Sequence, residues 1–105
     1  MLLINVIYTM KPGQREAFLK EVQAQGILEA VRREDGCMQY TYYLPVEEDD
    51  TLLLVERWRD QAAQQAHLAT PHMAALGKIK EQCVVRTQII SGTAAECPLR
   101  PVEYL

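Results

Sequence analysis

His67 and His72 are the only histidines in the chain, and they flank the segment Leu68-Ala69-Thr70-Pro71. Asp60 is a favoured N-cap for a helix through Ala62, Ala63 and Ala66. Thr70 followed by Pro71 starts a second helix, because proline at the first helical position loses no intrahelical hydrogen bond. His67 then lies in the last turn of the first helix, where the negative end of the dipole favours a cationic ring. His72 lies in the first turn of the second, where the positive end favours a neutral one. Two like groups biased toward different protonation states suit acid–base chemistry near neutral pH, so both are candidate catalytic residues. The plain alternative is a pair of helix-end residues, with His72 helping to close the kink.

Other side chains could frame such a pair. Tyr40, Tyr42 and Tyr43 fall within one short stretch, and with Trp58 they suggest an aromatic pocket wall that stacks on a flat ligand. Glu56 could orient a histidine as carboxylates often do, or pair with a nearby arginine. Met73 completes the candidate substrate-binding set of Trp58, Tyr40, Tyr42, Glu56 and Met73. Aromatics also suit strands simply as packing, and that reading stands beside the functional one. Cys37, Cys83 and Cys97 are odd in number and widely spaced. They show no metal-ligand spacing and no basic neighbour, so no metal site and no cofactor is expected from them.

The elements that must position these residues follow from hydrophobic periodicity. Leu2 to Met10 is a strand whose two faces, Leu2/Ile4/Val6/Tyr8/Met10 and Leu3/Asn5/Ile7/Thr9, are both largely apolar. Lys11-Pro12-Gly13 turns the chain into a helix carrying Phe18, Leu19, Val22 and Val31. Gly26 permits a bend in it, and Asp35-Gly36 stops it. Cys37 to Leu44 is a second strand, with Cys37 facing away from Tyr40. The acidic PVEEDD segment, residues 45–50, reads as a solvated hairpin connection. Leu52 to Trp58 is a third strand with Leu52, Leu54, Glu56 and Trp58 on one face. The two short helices follow, then a fourth strand from Cys83 to Ile90 that Ser91-Gly92 ends. The order β-α-β-β-α-β specifies an α+β, ferredoxin-like antiparallel sheet with helices on one face. Residues 1–91 form that domain and residues 92–105 a C-terminal arm. The uncovered apolar sheet face predicts a homodimer.

Composition narrows the partners. The 105 residues carry 49% hydrophobic and 24% charged side chains and a net charge of −3. No stripe of Lys or Arg points to nucleic acid. The opening MLLINVIYTM has no basic leader and is too short to span a membrane, so a cytoplasmic protein is expected.

The stretches Glu34-Asp35-Gly36-Cys37 with Tyr40, then Glu56-Arg57-Trp58, then His67 to Met73 resemble the antibiotic biosynthesis monooxygenase family. The resemblance is nearest to its small quinol-monooxygenase-like members and covers essentially residues 1–91. It implies a dimeric α+β barrel with a pocket in each subunit between sheet and helices, and places Trp58, His67 and His72 in that pocket. Some such relatives oxygenate quinols or polyketide aromatics without metal or flavin; others degrade haem, and one group handles a phosphorylated signal. Haem degradation is disfavoured, because Asn5 falls out of register and His67 and Gly77 stand where those relatives carry tryptophan and histidine. The leading expectation is a cofactor-independent monooxygenase using O2 on a small quinol-like or phenolic aromatic. In it His72 acts as base, His67 stabilises developing charge, and Trp58 with Tyr40 or Tyr42 holds the ring. The alternatives are an isomerase or lyase on a small carbonyl metabolite, and a non-catalytic dimeric binding module.

Overall fold

A computed structural model describes residues 1–95. The chain runs β1 (Leu2–Met10), α1 (Arg15–Ala24), α2 (Ile27–Arg32), β2 (Cys37–Tyr43), β3 (Thr51–Trp58), α3 (Gln61–Leu68), α4 (Pro71–Cys83) and β4 (Val84–Thr93). Its strands form one four-stranded antiparallel sheet in the order β2-β3-β1-β4. This is the expected ferredoxin-like α+β arrangement, with the first expected helix divided in two and the two short helices after β3 as expected. Gly26, at φ 66°, makes the division between α1 and α2 in a left-handed conformation that glycine adopts freely. Asp60 caps α3 as expected, its Oδ1 accepting from the Ala63 N–H at 2.8 Å.

Alternation along the strands builds the core. Ile4, Val6, Tyr8 and Met10 of β1 and Leu52, Leu54, Glu56 and Trp58 of β3 are buried beneath the helices. Phe18, Val22, Ile27 and Val31 reach down from α1 and α2, and Leu76 and Ile79 from α4. The opposite sheet face carries Leu3, Ile7, Leu53 and Val55, half-buried, with exposed Ile90 paired across from Asn5.

Three local expectations are corrected. The β2–β3 register shifts between Cys37 and Gln39, so Met38 bulges outward. Cys37 therefore packs against the same core as Tyr40 rather than facing away from it. Cys83 closes α4 instead of opening the last strand, and β4 continues through Ser91 and Gly92 to Thr93, which pairs with Leu2. Cys97 and residues 96–105, most of the expected arm, lie outside the described residues. Among the described residues no helix is long and apolar enough to cross a membrane.

Candidate active site

The two histidines converge on a residue from the other half of the chain. Glu34 follows α2 in the turn that leads into β2, and its Oε2 lies 2.7 Å from His67 Nδ1 and 2.9 Å from His72 Nε2. An ionised carboxylate only accepts hydrogen bonds, so both rings donate to the same oxygen. The kink between α3 and α4 makes this possible. Thr70, at the N-cap of α4, gives its side chain no capping bond; its hydroxyl donates instead to the His67 carbonyl at 2.8 Å. That bond turns the chain tightly enough to place a ring from the last turn of α3 and one from the first turn of α4 on one acceptor.

The turn bearing Glu34 is held by its neighbours. Arg59, just after β3, forks onto Asp35 with its two guanidinium nitrogens 3.0 and 3.1 Å from the carboxylate oxygens. The Arg59 N–H donates to the Gly36 carbonyl at 2.8 Å. This pairing holds the Asp35 carboxyl below its ordinary range. Gly36 sits at φ 84°, and a Cβ there would meet Ala63 Cβ of α3 at 2.6 Å. Only glycine lets α3 approach the turn this closely.

Aromatic rings enclose the inner histidine. The His67 ring lies 4.5 Å from the Trp58 indole and 5.7 Å, edge-on, from Tyr40. His67, Trp58 and Tyr40 are each no more than 1% exposed, so the aromatic wall expected to stack on a ligand here stacks on His67. Trp58 Nε1 donates to Glu56 Oε1 at 3.0 Å, and His67 Nε2 faces that oxygen from 4.0 Å. Burial pushes the Glu56 carboxyl upward, toward its neutral form. Lys80, whose Nζ lies 5.2 Å above the Tyr8 ring, is lowered by burial.

The remaining expected site residues lie further out. Tyr42 packs edge-on to Phe18 and Tyr40, and its buried hydroxyl has no hydrogen-bond partner among the described residues. Burial raises Tyr8, Tyr40 and Tyr42 together, so these phenols stay protonated. Met73 packs against the core beside the cluster. His72, at 22% side-chain exposure, is the accessible member of the pair.

Two hollows border this region. One of about 390 Å³ is lined by Glu34, Asp35, Arg59, Ala62, Ala63, Ala66 and Thr70. The other, about 420 Å³, lies between α1, α2 and β2 and includes Leu19, Leu28, Arg32, Tyr42 and Leu44. Neither is lined by His67 or His72; Glu34, which both rings bond, lines the first. Glu34 is the functional candidate that residue-by-residue reading missed. Its signal was its place in the Glu34-Asp35-Gly36-Cys37 stretch, with no nearby partner to suggest a role.

The comparisons agree with this architecture. Residues 1–78 match the family described as Antibiotic biosynthesis monooxygenase. The chain is 35% identical over 95 residues to a Bacillus subtilis (strain 168) protein named "Putative monooxygenase YcnE", covering 85% of this chain and 98% of that one. The crystal structure of PA3566 from Pseudomonas aeruginosa superposes with a TM-score of 0.79 at 26% identity, covering 90% of this chain and 93% of that one. A Deinococcus radiodurans structure described as a putative antibiotic biosynthesis monooxygenase gives 0.80 at 22% identity, covering 97% and 100%. Sequence and fold together make this chain a member of the antibiotic biosynthesis monooxygenase family.

Proposed function

We propose that the protein is a cofactor-independent monooxygenase acting on a small quinol-like or phenolic aromatic, working as a homodimer in the cytoplasm. The observation that carries this reading is the single Glu34 oxygen shared by two imidazoles beside a hollow that Glu34 itself lines. Glu34 accepts a hydrogen bond from His72 Nε2–H, which places the ring's lone pair on Nδ1, and His72 acts there as general base. Removing a phenolic proton gives an electron-rich anion, the form of such a substrate that reacts with triplet O2. His67, fully buried, positions Glu34 rather than touching substrate.

Oxygen uptake with a panel of hydroquinones tests the proposal. The expected result is uptake above the chemical background, reduced about 10²–10⁴-fold by His72→Ala. No uptake, or uptake unchanged by that substitution, overturns it.

One observation favours a second reading. Trp58, Tyr40 and His67 fill the space between sheet and helices with one another, as expected of a dimeric binding module without turnover. A ligand that binds stoichiometrically in titration calorimetry, with neither oxygen consumption nor product, would select that reading.

A further inference from the structure

We propose that Glu34, His67 and His72 form a binding site for one divalent transition cation of the zinc type. Glu34 Oε2, His67 Nδ1 and His72 Nε2 would be its three protein ligands. The three atoms lie within 4.8 Å of one another, and the two nitrogens approach the shared oxygen to 2.7 and 2.9 Å. Around an ion bound at ~2.0–2.1 Å, neighbouring ligand atoms stand roughly 3.0–3.4 Å apart. Opening the two nitrogen–oxygen pairs by a few tenths of an ångström, and bringing the two ring nitrogens from within 4.8 Å of one another to the same spacing, converts the hydrogen-bonded cluster into a coordination set. His72, half-buried at the start of α4, is the ring free to supply that opening.

The ligand chemistry decides the class of ion. Two imidazoles and one carboxylate suit zinc and its neighbours, whereas calcium and magnesium take oxygen donors. A fourth position is available on the side of the cluster where Glu34 borders the hollow of about 390 Å³.

A second arrangement points the same way. A metal on His67 Nδ1 moves that ring's proton to Nε2, which faces Glu56 Oε1 at 4.0 Å. Glu56 is itself held by Trp58 Nε1 at 3.0 Å. A carboxylate behind a ligating imidazole is the arrangement that fixes the ring and raises its basicity in metal sites. None of this depends on the oxygenase reading. An ion bound here takes the lone pair of His72 Nε2 and leaves the ring proton on Nδ1, so it would inhibit that activity.

The test is binding, which needs no turnover. Zinc is titrated into the full chain by calorimetry, and cobalt(II) is added in parallel for its visible absorption. One ion per chain is expected, with the weak, structured bands of a nitrogen–oxygen site. Glu34→Gln and His72→Asn are each expected to weaken binding more than about tenfold. Circular dichroism checks that they fold. His72→Asn, at a half-exposed position, keeps the test open if Glu34→Gln does not. Three outcomes overturn the proposal: no saturable binding, binding that survives folded His72→Asn, or an intense thiolate-to-cobalt band assigning the ion to cysteine. Absence of oxygen uptake by the metal-free protein, with saturable zinc binding, would refute only the preceding reading.

Discussion

Folding alters the protonation of Glu56. Burial raises its carboxyl, so the unfolded chain ionises it at lower pH than the folded one does. The stability contributed by the neutral carboxyl is present below the unfolded value and is lost as pH rises through the raised folded value. Glu56→Gln keeps an acceptor for Trp58 Nε1 and removes the ionisation. The variant is therefore expected to gain stability relative to the parent at pH 8 compared with pH 4.5, by urea denaturation. Equal differences at the two pH values would refute the assignment. Gly36 offers a steric test at the same scale. Gly36→Ala combines a left-handed backbone with a contact at 2.6 Å against Ala63, for a loss of roughly 2–4 kcal/mol. Thermal unfolding would measure it, and a loss below 1 kcal/mol would mean that α3 yields easily.

The elements were legible in the sequence to differing degrees. Period-2 and period-3.6 patterns sufficed for β1, β3 and the helical segments, and Asp60 marked the start of α3 because capping is local. The Met38 bulge was not legible: strict alternation along β2 has no signal for an extra residue that only pairing with β3 reveals. Thr70 looked like an ordinary cap, yet its hydroxyl serves the His67 carbonyl behind it. The convergence on Glu34 was hidden for a related reason. Its partners lie 33 and 38 positions along the chain, beyond any periodicity, and only the docking of α3 and α4 against the α2–β2 turn joins them. The two helix starts yield a paired prediction. Asp60→Ala removes a real cap and is expected to cost about 1 kcal/mol. Thr70→Ala leaves the α4 cap bonds untouched and instead loosens the kink. It is expected to increase hydrogen exchange at the Met73 and Ala74 amides, which donate to the Thr70 carbonyl.

Over the whole molecule the helices cover one side of the sheet, and the other presents Leu3, Ile7, Leu53, Val55 and Ile90. The proposed homodimer would close this face, apolar burial being worth about 25 cal/mol per Å². Val55→Asp, at the centre of the face on an interior strand, is expected to yield monomer in sedimentation analysis with the fold retained. A parent protein that is already monomeric would remove the dimer from the proposal. The strand order β2-β3-β1-β4 has a different consequence. β1 and β2 come from one half of the chain but never touch, because β3 from the other half lies between them. Neither half owns a sheet, and each supplies part of the histidine–carboxylate cluster. Cleaving the exposed β2–β3 connection at Val46 should therefore give two fragments that are each unstructured alone and recover the native spectrum when mixed. The protein would then serve as a split reporter.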